Sequence, residues 1–430
     1  MADVRATKNG NWSDVTVWNT GALPTAADDV YSNTFTVNVD VSFTVLTLRS
    51  TAGTGITAGG SFNFNTAGVT GTVTSSSPLV PGATNLIQIT ATTGIVTISL
   101  GGNVTPRATS SDILINYSGN CNLILSGTNF NGTTNNNTAC INKTSAGLIT
   151  ITGNLNGGNS SGNSGAQSFV STNGNTIIIG NVVGGIGSAG SHRGVNQSAG
   201  TLTITGNVTG GQSTASNQGV LFSGTSLTVT GTILGGIDSN AINTSAPINN
   251  ITGNVTGGGV SGAVSSVANI INVTGTVTAS ATSQAISMTN ANGQVYLSGN
   301  MVNNNGKMAI YAPIVWLDAN NTTQADFFTS GGSPRTLYSE DTFPNMPAEA
   351  DTRDNIVYGP GSGLTGTLKM PAAADTRSGV VYDNGTTGTA LFTTSLFLTE
   401  LSSSTVPVAV RMQNLCTPMI LGELMEAFKK

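Results

Sequence analysis

The sequence predicts an all-β protein built as a right-handed parallel β-helix, a solenoid with an N-terminal cap and a small β-rich C-terminal region ending in a short helix. Three observations lead there. A short motif recurs with a nearly constant period, apolar residues alternate strictly with threonine or serine, and charge is almost absent. The motif is plainest in "TLTITGNVTGG" from Thr201, "LITITGNLNGG" from Leu148, "TIIIGNVVGG" from Thr176 and "NITGNVTGG" from Asn250. Its corner glycine, followed by Asn or Thr and, except at Gly127, an apolar residue, falls at Gly102, Gly127, Gly153, Gly180, Gly206, Gly231, Gly253, Gly275 and Gly299. The steps are nearly even, and slightly shorter between Gly231 and Gly275 than before. A sustained period in this range marks a repeat architecture. A leucine lattice is missing, and Gly and Asn are poor helix formers. A stacked coil of short strands is what remains.

Each part of the coil follows from its residues. Leu202 and Ile204 point inward and stack as apolar ladders, while the intervening threonines face water. Gly and Asn take the corners because both tolerate positive φ, and an inward Asn can ladder with its copies in neighbouring coils. Variable stretches such as "NSSGNSGAQS" from Asn159 absorb the change in period. Nine coils at strand spacing make a rod of roughly 40 Å.

The boundaries expected from composition are 1–60 for a capping segment, 61–318 for the solenoid, 319–416 for a β-rich region and 417–430 for an amphipathic helix. Trp12 and Trp18 lie in the first segment, where an aromatic cap would close the first coil and its strand edge. Beyond Trp316 the pattern changes, and 12 of the 19 acidic residues lie at or after Asp318. A second repeat appears there, "MPAEADTRDNIVYGPGSGLTGT" from Met346 and "MPAAADTRSGVVYDNGTTGT" from Met370. Each copy is expected to place an Asp-Thr-Arg turn before a strand. Asp351 with Arg353 and Asp375 with Arg377 are then turn fasteners or subunit contacts. In "TPMILGELMEAFKK" Thr417 is an N-cap, Pro418 the first helical residue and Lys429 and Lys430 the last turn. Its apolar stripe, including Leu424 and Phe428, needs a partner surface, since so short a helix is marginal on its own in water.

Composition also narrows function. Charged residues are 8% of the 430, hydrophobic residues 38%, and the formal net charge is −5. No cluster of Lys and Arg offers a nucleic-acid or membrane footprint, and no apolar run suits a signal peptide or a span. Cys121, Cys140 and Cys416 are too few and scattered for a disulfide framework or a zinc site, and are expected as buried thiols. Between Val41 and Trp316 the only acids are Asp112 and Asp238. Five coils apart, they cannot form the carboxyl pair that glycoside hydrolysis requires. The single histidine, His192, is expected at the surface of a Gly-rich loop, without a catalytic role. "GIGSAG" from Gly185 opens no helix, "DANNTTQAD" from Asp318 lacks the Gly and terminal Glu of a calcium loop, and the Asn-Val-Thr triplets read as coil corners. No catalytic, cofactor or metal residue is therefore assigned.

The opening "NGNWSDVTVWNTGALPTAADDVY", the doubled "PAAADTRSGVVYDNGTTGT" and the closing "VPVAVRMQNLCTPM" resemble segments of bacteriophage virion proteins of the tail-fibre and tailspike kind. The resemblance covers the two ends, about a third of the chain. It implies a homotrimeric appendage, made in the host cytoplasm and incorporated into the virion, that contacts other virion proteins and the host surface. Some members of that family cleave glycans. This chain departs from those in lacking an acid pair, so the expectation is a structural protein that binds a glycan without cutting it. The rival expectations are a depolymerase whose acids meet across subunits, a capsid decoration protein and a bacterial adhesin.

Overall fold

The computed structural model describes residues 3–50, 59–80, 86–104, 113–132, 139–160, 167–187, 190–213, 217–259, 261–278, 283–302, 310–317, 336–339, 357–358, 364–365, 381–382 and 386–387. The chain divides into two compact units, Met1–Asn345 and Met346–Lys430. The first is a parallel β-solenoid.

One coil shows how the residues build it. Val195–Gln197, Thr201–Thr205 and Val208–Thr209 are three strands on three faces, with Gly206 at the corner between the second and third. The next coil repeats them as Val220–Phe222, Ser226–Thr230 and Ile233–Leu234. The two coils pair in parallel, Val195 with Val220, Leu202 with Leu227 and Val208 with Ile233. The offset is the same on all three faces and equals the step from Gly206 to Gly231. Sequence period and coil length are therefore one quantity.

On the first face the ladder runs through 13 strands, from Gly10–Asn11 to Ile310–Tyr311. The second face ends in Ile314–Leu317 paired in parallel with Thr336–Ser339, one strand beyond residue 318. Where the corner is gentle, one strand covers two faces. Asn122–Asn131 and Ile149–Asn156 bend through Gly127 and Gly153, with a register shift between Ser126 and Asn129. From Gly180 onward the corner interrupts the strand.

Inward residues form one continuous apolar cluster from Val4 to Val315, and Leu202, Ile204, Val208, Leu227 and Val229 have no exposed surface. Fully burying such a side chain contributes about 1.5–3 kcal/mol, and every rung adds several. Each coil is too thin to bury its own apolar face, so coils hold only as a stack.

The ladders do not break at residue 60. Thr36, Val37 and Asn38 pair in parallel with Ser61, Phe62 and Asn63, and Asp3–Arg5 already pairs with Asp29–Tyr31. The first segment thus supplies strands of its own to the stack. Its aromatics are inside: Trp12 stacks on Phe43 at 4.0 Å and meets Trp18 edge-on at 5.0 Å. The Trp18 indole N–H donates to the Trp12 carbonyl at 3.0 Å, which satisfies the one polar group that burial would strand.

In the second unit two antiparallel pairings are described, Val357–Tyr358 with Leu364–Thr365 and Val381–Tyr382 with Thr386–Thr387. Their first strands fall at equivalent places of the doubled motif, Tyr358 in one copy matching Tyr382 in the other. Asp351, Arg353, Asp375, Arg377 and the segment 417–430 with Leu424 and Phe428 lie outside the described residues.

Candidate functional site

The corner between the second and third faces is the most regular feature. Gly153, Gly180, Gly206, Gly231, Gly253, Gly275 and Gly299 have φ between 129° and 150°. That backbone region is closed to side chains. Each glycine also presses on its counterpart one coil below, so a Cβ on Gly206 would overlap the Gly180 oxygen.

At four of these corners the Asn after the glycine locks the stack with its side chain. The Asn154 side-chain oxygen accepts from the Asn181 amide at 3.0 Å, Asn181 from Asn207 at 2.9 Å, Asn207 from Thr232 at 2.9 Å and Asn254 from Thr276 at 2.9 Å. Lower in the rod, amides bond directly, Asn154 to Asn129 at 2.9 Å and Asn129 to Asn103 at 2.6 Å. Two of the Asn-Val-Thr triplets, at Asn207 and Asn254, are thus engaged as corner fasteners. Asn207→Ala should cost about 1 kcal/mol, the worth of one such bond, as a lowered urea midpoint with unchanged slope.

A second polar column lies inside, at the last position of the first-face strands. Tyr117, Lys143, Ser171 and Gln197 stand there in register, one per coil. Each turns its polar end onto carbonyls of the bend that follows. The Tyr117 hydroxyl donates to Cys121, Ser171 to Asn173 at 3.0 Å and the Gln197 amide to Ala199 at 2.7 Å and Thr201 at 3.0 Å. Lys143 is wholly buried. Its ammonium donates to the carbonyls of Ser145 at 2.6 Å and Asn173, and lies 5.7 Å over the Tyr117 ring. Burial lowers the lysine pKa to about 8 and raises that of Tyr117 to about 12. The sequence reading missed this column. Its signal was a Lys or Gln at a position where the alternation demands an inward side chain.

His192 corrects an expectation. It is fully buried, in contrast to the surface loop position foreseen. Its amide donates to the Asn217 side chain at 3.3 Å, and its carbonyl packs directly against Gly184 and Gly211. Two glycines let the loop backbone press onto neighbouring coils, and the histidine goes under with it. Neighbouring Arg193 donates from Nε to Gln218 at 2.9 Å, and burial holds its pKa below the usual arginine range.

Cys121 and Cys140 are buried free thiols, and burial raises the Cys140 pKa to about 12. Asp238 is exposed at a positive-φ turn. Asp112, Cys416 and the stretch 318–326 lie outside the described residues. Among the described residues no group of three or more His, Cys, Asp or Glu is placed to hold a metal ion, and no helix is long and apolar enough to cross a membrane.

The outer surface presents rows of side chains at rung spacing. Thr205, Thr230, Thr252 and Thr274 make an exposed hydroxyl row beside the corner, in register from coil to coil. The row next to it runs Thr203, Thr228, Asn250, Asn272, Tyr296 and Trp316, where the last two rings stack in parallel at 5.8 Å. On the first face, a cleft of about 350 Å³ opens between the coils that carry Ser265 and Ser287, walled by Asn240, Ser261, Ser283 and Gln284. These rows and this cleft can offer hydrogen bonds and aromatic surface to a neutral polar ligand. No protein-family model, curated protein or solved structure matches the chain, so the parallel β-solenoid is as far as likeness carries its identity.

Proposed function

We propose that the chain is a structural bacteriophage virion protein, a β-helical tail fibre or spike that contacts the host surface and binds a glycan without cleaving it. The observation that carries this reading is the rod itself. Its 13 rungs on one face span roughly 58 Å at strand spacing, and its outer rows are mostly hydroxyls and amides, interspersed with apolar side chains such as Val170 and Leu221 and with few charges. Such a surface is matched to neutral polyhydroxylated ligands, which exchange hydrogen bonds with it for those of water. Stacked coils of this kind suit an appendage that must be stiff along one axis.

In this reading the coils wind right-handed, as parallel crossovers do, and Trp12 and Trp18 belong to the cap of the first coil. The chain assembles as a homotrimer, because weakly charged faces cost little to desolvate once their groups are paired across an interface. The C-terminal helix anchors the protein to another virion component.

Imaging of particles labelled with an antibody to this chain, together with incubation of the purified protein with host envelope polysaccharide, tests the reading. Label on the tail and retained, full-length polysaccharide are expected. Label on the capsid shell, or none on the particle, would end the fibre assignment. Shortened polysaccharide that persists with wild type and disappears on replacing Asp112, Asp238 and His192 together would make the protein a depolymerase.

A further inference from the structure

The cleft on the first face lies where the outward row of that face changes its side chains. The outward row of that face carries Asn116, Asn142, Val170, Asn196, Leu221 and Asn243 in successive coils. The next two rungs carry Ser265 and Ser287, and the rung after them carries Tyr311. Two consecutive small side chains remove volume from the row, and the turns entering these strands wall the gap with Asn240, Ser261, Ser283 and Gln284. At about 350 Å³ the space lies in the lower part of the range of small-molecule sites, about 300–1,000 Å³.

Its chemistry selects a class of occupant. Four serine hydroxyls and two carboxamides can each donate and accept, which is the pattern a ring of alternating hydroxyls presents in return. Among the described residues no charged side chain lines it, so this lining offers an anionic sugar no counter-charge. Tyr311 is exposed and occupies the register position beyond Ser287, where its ring can cover the apolar face of a pyranose.

We propose that this cleft is a subsite for one neutral hexose-type unit of a surface glycan, with Gln284 and Asn240 as amide clamps, the serines as hydroxyl partners and Tyr311 as the stacking wall. The proposal rests on the glycan-binding part of the reading above and assigns it a place.

The test uses the full chain on a printed array of neutral and acidic oligosaccharides, comparing wild type with Gln284→Ala, Tyr311→Ala, Ser287→Trp and a control, Leu23→Ala, at an exposed position of the first segment outside the outer rows and the cleft. Wild type and the control should retain neutral glycans. The Gln284 and Tyr311 variants should bind about tenfold more weakly. Ser287→Trp, which refills the row, should abolish retention while the melting temperature stays at the wild-type value. A neutral glycan held equally by all variants would overturn the cleft and leave the proposed function standing. Retention of acidic glycans alone would overturn the neutral assignment. No retention by wild type would overturn the cleft together with the glycan-binding reading. Because the three variants alter different side chains, a folding defect in one leaves the other two to decide.

Discussion

Gly206→Val is expected to lower stability by about 4 kcal/mol, the sum of a strained backbone and an overpacked contact. The backbone contribution arises because φ is +146° at this residue, a region in which a β-branched side chain has no low-energy state. The contact contribution arises because the new Cβ would overlap the Gly180 carbonyl oxygen, which belongs to backbone and cannot swing aside. The two costs add, since relieving one by rotating the peptide would detach the neighbouring strands. Chemical denaturation should show a lowered midpoint. Amide exchange should show protection lost first in Thr201–Thr205 and Val208–Thr209, the strands on either side of the corner. Protection lost evenly over the solenoid would mean that the corner is not the site of strain.

The second large effect is expected at Lys143. Lys143→Ala should cost about 3 kcal/mol, through a cavity at a fully buried position and the loss of donors to the Ser145 and Asn173 carbonyls. The wild-type lysine also gives stability a characteristic pH dependence. Its pKa falls from 10.5 to about 8 on folding. Between those values the unfolded chain holds more protons than the folded one, so stability rises with pH. Below about pH 8 both states are protonated and the full cost of burying the ammonium is present. Cys140 acts in the opposite sense. Its pKa rises from 9.0 to about 12, so its contribution is complete below pH 9 and is lost above it. Tyr117, raised from 10.0 to about 12, adds to that loss above pH 10. The observable window is therefore pH 8 to 9, where wild type should gain about 1 kcal/mol. Lys143→Met keeps the volume and removes the titration, so its urea midpoint should show no rise across the window, only the small fall that Cys140 brings near pH 9. A rise of equal size in Lys143→Met would refute the assignment to this residue.

The solenoid was legible because each of its local rules is periodic. The Gly-Asn corner, the Leu202–Ile204 alternation and the outward threonines return once per coil, and the coil length equals the sequence period. The segment before Ser61 follows the same geometry with uneven coils. Asp29 stacks on Thr47, a much shorter step along the chain than the one from Val37 to Phe62. Without a constant spacing or a Gly-Asn corner this segment reads as a separate one. Buried Lys143 and Gln197 are residue types that ordinarily face water, and only the parity of their strand positions marks them as inward. His192 is hidden for a different reason. Its burial depends on the loop backbone settling against Gly184 and Gly211, a contact between coils that no local pattern encodes. The cleft is likewise a product of stacking, since Ser265 and Ser287 become neighbours only when coil follows coil.

The asparagine fasteners carry a consequence for how such a chain changes length. Asn181, Asn207 and Thr232 form a relay in which each corner amide bonds to the rung directly below it. The strands on all three faces pair by the same nearest-neighbour rule. Excising Gly206 to Thr230 would bring Thr205 to Gly231 and return every inward side chain to an inward position. Duplicating the same stretch would add a rung with equal fidelity. The rod is in this sense a string of interchangeable modules, whose reach can be adjusted by whole repeats while both ends stay as they are. A lineage that must span a variable distance has in this architecture a route through unequal recombination, with the joins hidden at glycine corners.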